Sequence, residues 1–241
     1  MELVNVNGIF IMILVIYLFM GIIIFFMPTF RIIYLNILIN KNDFEKFTKT
    51  VDMYIRKSKS EKRKNIYKLK KINAMMELRK WNGIENEIDL LEIDFSNYSI
   101  VMLCNTILNL YILNRIEEGR AIFEKIQMKL NQQKEKIRNN IAIRICDAIN
   151  NYYNNDFTKS RNELQELLKE EINLGKANFY KKNFKANIYF YLGLISKHEN
   201  EIIKCKSYLE NAISTFYPQQ YTLVMKATEI IDEISKEKQN E

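Results

Sequence analysis

The chain is poor in the residues that make turns and reactive sites: 241 positions hold six glycines, two prolines, three cysteines and one histidine. Strand-dense folds place turn residues roughly every 8–12 positions, so glycine and proline this sparse exclude an all-β sandwich or barrel and leave a helical chain. Cys104, Cys146 and Cys205 are odd in number, far apart and set in apolar helical patterns. They give no disulfide framework and no C-x-x-C zinc spacing, and a reducing compartment suits them. His198 stands in a polar break with no Ser, Cys or Asp partner in a recognisable motif, which argues against a catalytic base. Phosphate-binding glycine loops and nucleophile elbows are missing. Neighbouring acids such as Glu117 with Glu118, or Glu170 with Glu171, are adjacent on helices and point apart. The expectation is a protein that is not an enzyme, with no metal and no cofactor.

Charge is missing from the N-terminus. No charged side chain lies between Glu2 and Arg31, and Ile9 to Met27 reads IFIMILVIYLFMGIIIFFM. A helix of about 20 residues crosses a hydrocarbon core of about 30 Å, so residues 9–30 are expected to form a transmembrane helix after a short extracytoplasmic segment, 1–8. A cleaved signal peptide would need a basic start and a small-residue cleavage site. The start is MELVNVNG, and Phe25, Phe26 and Met27 occupy the far end. Lys and Arg flanking a span stay cytoplasmic, and Arg31, Lys41, Lys46 and Lys49 all follow it. The sequence therefore predicts a single-pass protein of the cell membrane, N-terminus outside and the remainder cytoplasmic.

The charge that is present is uneven. The formal total is +7, yet residues 31–80 carry 15 Lys/Arg against 5 Asp/Glu, while residues 81–241 carry 21 against 23. Residues 31–80 read as basic juxtamembrane helices. Their densest part runs from Arg56 to Lys71, with Arg56, Lys57, Lys59, Lys62, Arg63, Lys64, Lys68, Lys70 and Lys71 against Glu61 alone. One reading is the solvated side of a helix whose Ile66, Leu69 and Ile72 face a core. The other is contact with anionic lipid headgroups, worth ~1 kcal/mol per cation at close range. Nucleic acid is disfavoured, since only Tyr67 offers stacking and no recognition motif occurs.

Beyond residue 30 apolar residues recur at spacings of three and four, as in Ile141, Ile145, Ala148, Ile149 and Tyr152. Short polar breaks at 40–43, 81–83, 153–156 and 198–201 separate the helices and imply antiparallel neighbours. The segments that follow breaks align with one another over 42–55, 82–94, 114–126, 155–168 and 200–213. They resemble the second helix of tetratricopeptide (TPR) repeats. Tyr189, Leu192 and Gly193 match the first-helix pattern, Cys205, Leu209 and Ala212 the second, and Pro218 lies one place after the usual terminal proline. Gly119, Phe123 and Ile126 match in the third copy, and Ala148, Ser160, Leu164 and Leu167 in the fourth. Phe47 and Glu87 stand where a small residue belongs. The resemblance implies an all-α chain: a TPR-like α-solenoid of antiparallel helix pairs over 81–241, ended by a capping helix at 219–236 that carries Leu223, Ala227, Ile230, Ile231 and Ile234. An irregular helical bundle is the alternative.

In a solenoid the first helices line a concave groove whose polar side chains select a partner. Helical spacing nominates Asn105, Asn109, Arg144, Asp147, Asn151 and Asn187. The aromatic run at 178–194 reads as helix core, because Phe184, Ile188, Tyr191, Leu192 and Ile195 recur at helical spacing. The expected function is a membrane-anchored protein–protein interaction module: an adaptor, scaffold or assembly factor for a protein or peptide partner. The rival is a binder of anionic lipid or nucleic acid through residues 56–71.

Overall fold

A computed structural model describes residues 15–18, 30–39, 41, 43–215 and 221–237, and no strand occurs among them. The span expected at 9–30 lies outside the described residues apart from 15–18 and 30, as do residues 1–8 and Pro218. Among the described residues, no helix is long and apolar enough to cross a membrane.

The chain divides into two compact units between Lys57 and Ser58. The first contains helix α1, residues 30–39, and α2, Phe44–Lys57. The Arg31 guanidinium lies 5.0 Å from the centroid of the Tyr54 ring, so the start of α1 meets the end of α2 and the two run antiparallel. Leu35 and Leu38 on α1 and Phe47 and Val51 on α2 are buried at matching heights along this pair. Phe47, which breaks the repeat pattern, is thus a core residue.

The second unit begins with α3 (Glu61–Glu77) and α4 (Ile84–Asp89), continues through α5 (Asn97–Ile112) and α6 (Ile116–Leu130), and passes a short α7 (Glu135–Arg138). Then follow α8 (Ile141–Tyr153), α9 (Phe157–Lys169), a 3₁₀ turn at Gly175–Tyr180, α10 (Lys181–His198), α11 (Ile202–Thr215) and α12 (Tyr221–Glu237). Adjacent helices pack in pairs, α3 with α4, α5 with α6, α8 with α9 and α10 with α11, and the first members pack on one another. This is a helical repeat-like build. The second unit starts at Ser58, so α3 packs with the paired helices.

One device makes the turn of each of these four pairs. Asn114, Asn155 and Asn200 adopt left-handed φ values of 60°, 62° and 59°, and Arg79 one of 51°. The next residue then donates its N–H back over the last turn: Arg115 to Leu110 O (2.9 Å), Asp156 to Asn151 O (2.9 Å), Glu201 to Ser196 O (2.8 Å) and Lys80 to Met75 O (2.8 Å). These Schellman closures satisfy carbonyls the helix would otherwise leave unpaired, and asparagine tolerates the left-handed conformation they require. Side-chain caps start three of the helices, Asp43 accepting from Lys46 N–H (3.2 Å), Asn140 from Ala142 N–H (3.0 Å) and Asp156 from Lys159 N–H (3.1 Å).

Helix crossings explain the small residues. A Cβ on Gly193 would stand 2.7 Å from Leu209 Cδ2, and one on Gly119 would stand 2.5 Å from Tyr111 Cε1. At the α3–α4 crossing, Glu87 lies beside Lys71 at 2.7 Å with both side chains mostly buried, so an ion pair fills the place of a small residue.

Two features depart from an open solenoid. Every residue of α5 from Ile100 to Ile112 except Asn109 is buried, because the 3₁₀ turn after α9 and the helix α10 both pack against it. At the other end α12 packs on α10 and α11 through Leu223, Ala227 and Ile234, and its Lys226 Nζ donates to Asn114 Oδ1 (3.0 Å) across 112 positions of chain. The irregular bundle fits this unit as well as a linear stack does.

Candidate functional site

The nominated groove residues scatter. Asn187 is 0% exposed and donates its amide to Asn183 O (2.8 Å), and Asn105 is 5% exposed. Neither reaches a surface, because α5 and α10 are covered by each other and by the 3₁₀ turn. Asn109 alone among α5 residues 100–112 is half-buried.

Arg144, Asp147 and Asn151 recur at three and four positions on α8 and face α9. Arg144 donates both guanidinium nitrogens to Glu170 (2.8 and 2.7 Å), and Asn151 Nδ2 donates to Glu163 Oε2 (2.8 Å). The hydrogen bond from Arg144 holds the Glu170 carboxyl below its ordinary pKa. Burial raises the pKa of Asp147, opposed by the Lys159 ammonium. These residues lock the polar seam of one helix pair; Arg144 and Glu170 also border a cleft of about 580 Å³ with Phe95, Ile100, Ile137 and Asn140.

The basic segment is not one helix. It straddles the unit boundary, with Arg56 and Lys57 ending α2, Lys59 in the break at 58–60 and the rest on α3. Arg56, Lys57, Lys59, Lys62 and Arg63 are exposed. Lys64 pairs with Glu61 (2.5 Å), Lys68 Nζ donates to Leu90 O (2.6 Å), and Lys71 pairs with Glu87. Lys70 is half-buried. Inward-facing Leu69 and Ile72 are buried as expected and Ile66 partly so.

A second cleft lies where α5, α8 and α10 meet α12. Here the rings of Tyr111 and Tyr153 are 4.7 Å apart, Tyr152 lies 5.4 Å from both Phe157 and Tyr191, and Tyr153 lies 5.8 Å from Tyr191. The Tyr153 hydroxyl donates to Tyr111 O (3.2 Å) and is 2.8 Å from the Tyr191 hydroxyl. Its single proton is spent on the carbonyl, so Tyr191 is the donor of the pair. Tyr111 donates in turn to Asn150 Oδ1 (3.2 Å). Burial pushes the Tyr153 phenol up to about 12 and holds Tyr111 and Tyr191 above the ordinary range too. This network floors a cleft of about 280 Å³ walled by Phe190 and Leu194 of α10 and by Lys226, Ile230 and Glu233 of α12. The cleft thus has an aromatic floor and a charged rim.

Sequence reasoning missed this cleft. Its one sequence signal is that Tyr111 and Tyr152 each stand three residues before the left-handed asparagine of their pair. His198 is exposed at the end of α10, its ring 4.1 Å from that of Phe157. Among the described residues no group of three His, Cys, Asp or Glu side chains is placed to hold a metal ion. The three cysteines are free and buried. Searches against family models, curated proteins and solved structures give no match to the chain.

Proposed function

We propose that the chain is a membrane-anchored protein–protein interaction module, an adaptor or assembly factor, whose helix pairs are TPR-like in their turns and small-residue crossings. The uncharged run from Ile9 to Met27 supports the anchor, and the basic residues that follow it support a cytoplasmic placement of the paired helices. The observation that carries the binding role is the tyrosine-floored cleft between α12 and the ends of α5, α8 and α10, which offers apolar surface beside Lys226 and Glu233. The polar groove residues are less suited, since Asn105 and Asn187 are buried. Partners thus dock at the α12 cleft.

The test is crosslinking and recovery from membranes with the full chain. Leu194→Asp and Ile230→Asp should abolish recovery of a discrete partner, and Asn109→Ala should leave it unchanged. Equal recovery with all three would sink the cleft. Recovery that instead falls with salt and with neutralisation of Lys62 and Arg63 would favour the rival, a binder of anionic lipid or nucleic acid, which rests on the five exposed cations from Arg56 to Arg63.

A further inference from the structure

Helix α1 is apolar on two sides. Its buried side carries Leu35 and Leu38, while Phe30, Ile33, Tyr34 and Ile37 are 62, 47, 38 and 43% exposed. These four recur at i, i+3, i+4 and i+7, so at about 100° per residue they form one stripe about 100° wide. A helix of a water-soluble unit turns its polar side outward; a helix with apolar residues on both sides has a second apolar neighbour. The charges nearby indicate which neighbour. The one cation on the described part of α1, Arg31, is turned onto the Tyr54 ring of α2 and away from the stripe. No acid lies between Glu2 and Asp43, and the next cations, Lys41 and Lys46, are exposed. In sequence the stripe continues the uncharged run 9–27, of which Val15, Ile16, Tyr17 and Leu18 are all exposed.

We propose that the Ile33, Tyr34 and Ile37 face of α1 is a lipid-contacting surface that lies at the headgroup and acyl boundary, so that membrane contact extends about two helical turns past Pro28. The occupant is the bilayer, not a protein. Tyr34 places an amphipathic ring at the depth where aromatic residues gather. The exposed Lys41 and Lys46 meet anionic headgroups at the same level. The first unit is thereby held against the membrane by one face, with the buried Leu35, Leu38, Phe47 and Val51 on the other. The inference rests on the anchor reading.

The experiment uses the full chain in vesicles of zwitterionic lipid with a minority of phosphatidylglycerol. The native cysteines are buried, so nitroxide labels go to Ile33→Cys, Ile37→Cys, Leu18→Cys and, as the aqueous reference, Met128→Cys on α6, where the native side chain is 70% exposed. The measurement is spin-label collision with oxygen against collision with a water-soluble nickel chelate. The oxygen-to-nickel ratio at Ile33→Cys and Ile37→Cys should exceed that at Met128→Cys several-fold. A ratio at both positions equal to the Met128→Cys reference, with Leu18→Cys still in lipid, overturns the inference and leaves the anchor standing. Exclusion of both reagents at Ile33→Cys and Ile37→Cys also overturns it, because a protein then covers the stripe. A nickel-accessible Leu18→Cys brings down the anchor and the inference together.

Discussion

Tyr153 occupies the centre of the α5–α8–α10 contact with its hydroxyl fully committed, donating to Tyr111 O and accepting from Tyr191. Its phenol pKa, about 12 in the folded chain because of burial, lies above the value near ~10 of an unfolded tyrosine. Stability from this group is therefore complete below the unfolded pKa and lost as pH rises through the folded one, so the protein should weaken between pH ~10 and about 12. Tyr153→Phe should cost about 1–2 kcal/mol at neutral pH, since it strips Tyr191 of an acceptor and Tyr111 O of a donor. It should also flatten the alkaline decline. Urea midpoints of parent and variant, measured from neutral to alkaline pH, check both, and coincident curves would refute the network. The hydroxyl chain was not legible in the sequence because its members are 38 and 42 positions apart. Gly119 and Gly193 were legible, because a helix crossing admits only small side chains and leaves that mark at a fixed place in each pair.

The turns tell a similar story for whole helices. Asn114, Asn155 and Asn200 marked their breaks because asparagine is one of the few residues at ease with positive φ, and the Schellman bonds follow from that conformation. The first pair was misread by a few positions: Gly83 drew attention to 81–83, whereas α3 ends on the left-handed Arg79 and Gly83 is the left-handed N-cap of α4. Arg79 carries a Cβ penalty of ~1–2 kcal/mol, partly offset because glycine loses more backbone entropy on folding. Arg79→Gly should therefore stabilise the chain by about 0.5–1 kcal/mol, while Asn155→Gly should move it by only a few tenths. Paired denaturant midpoints decide the matter; a loss of stability in Arg79→Gly would show that the exposed arginine contributes something beyond its backbone. The division of the basic segment was hidden for the same kind of reason. Composition drew it as a single stretch, but the break at 58–60 divides it, and its later lysines are spent on Glu61, Leu90 O and Glu87.

Pairwise packing of successive helices makes stability a sum over neighbours in a linear stack, and such stacks fray from their ends. Unit 58–241 adds links that a stack lacks. The 3₁₀ turn at Gly175–Tyr180 and α10 both pack on α5, and Lys226 of α12 reaches Asn114. These cross-links are why helical periodicity gave the helices and their inward faces but not the site. Periodicity says which residues share a side of a helix, and Asn105, Asn109 and Asn187 do recur correctly; which distant segment covers that side depends on long-range packing that no local spacing encodes. The same links fix how the unit opens. If α5 is enclosed on all sides, it cannot lose its amide protection until α10 leaves it, so α5, α8 and α10 should share one opening free energy in native-state hydrogen exchange on the full chain. Their slowest amides should converge as urea is added, while the six-residue α4 and the four-residue α7 exchange earlier. The discriminating observation is the α10–α11 pair. If it kept its protection under conditions where α5 and α6 had already exchanged, the pairs would be independent repeats, the contacts of α10 on α5 would contribute little, and the enclosure of α5 would lose its energetic basis.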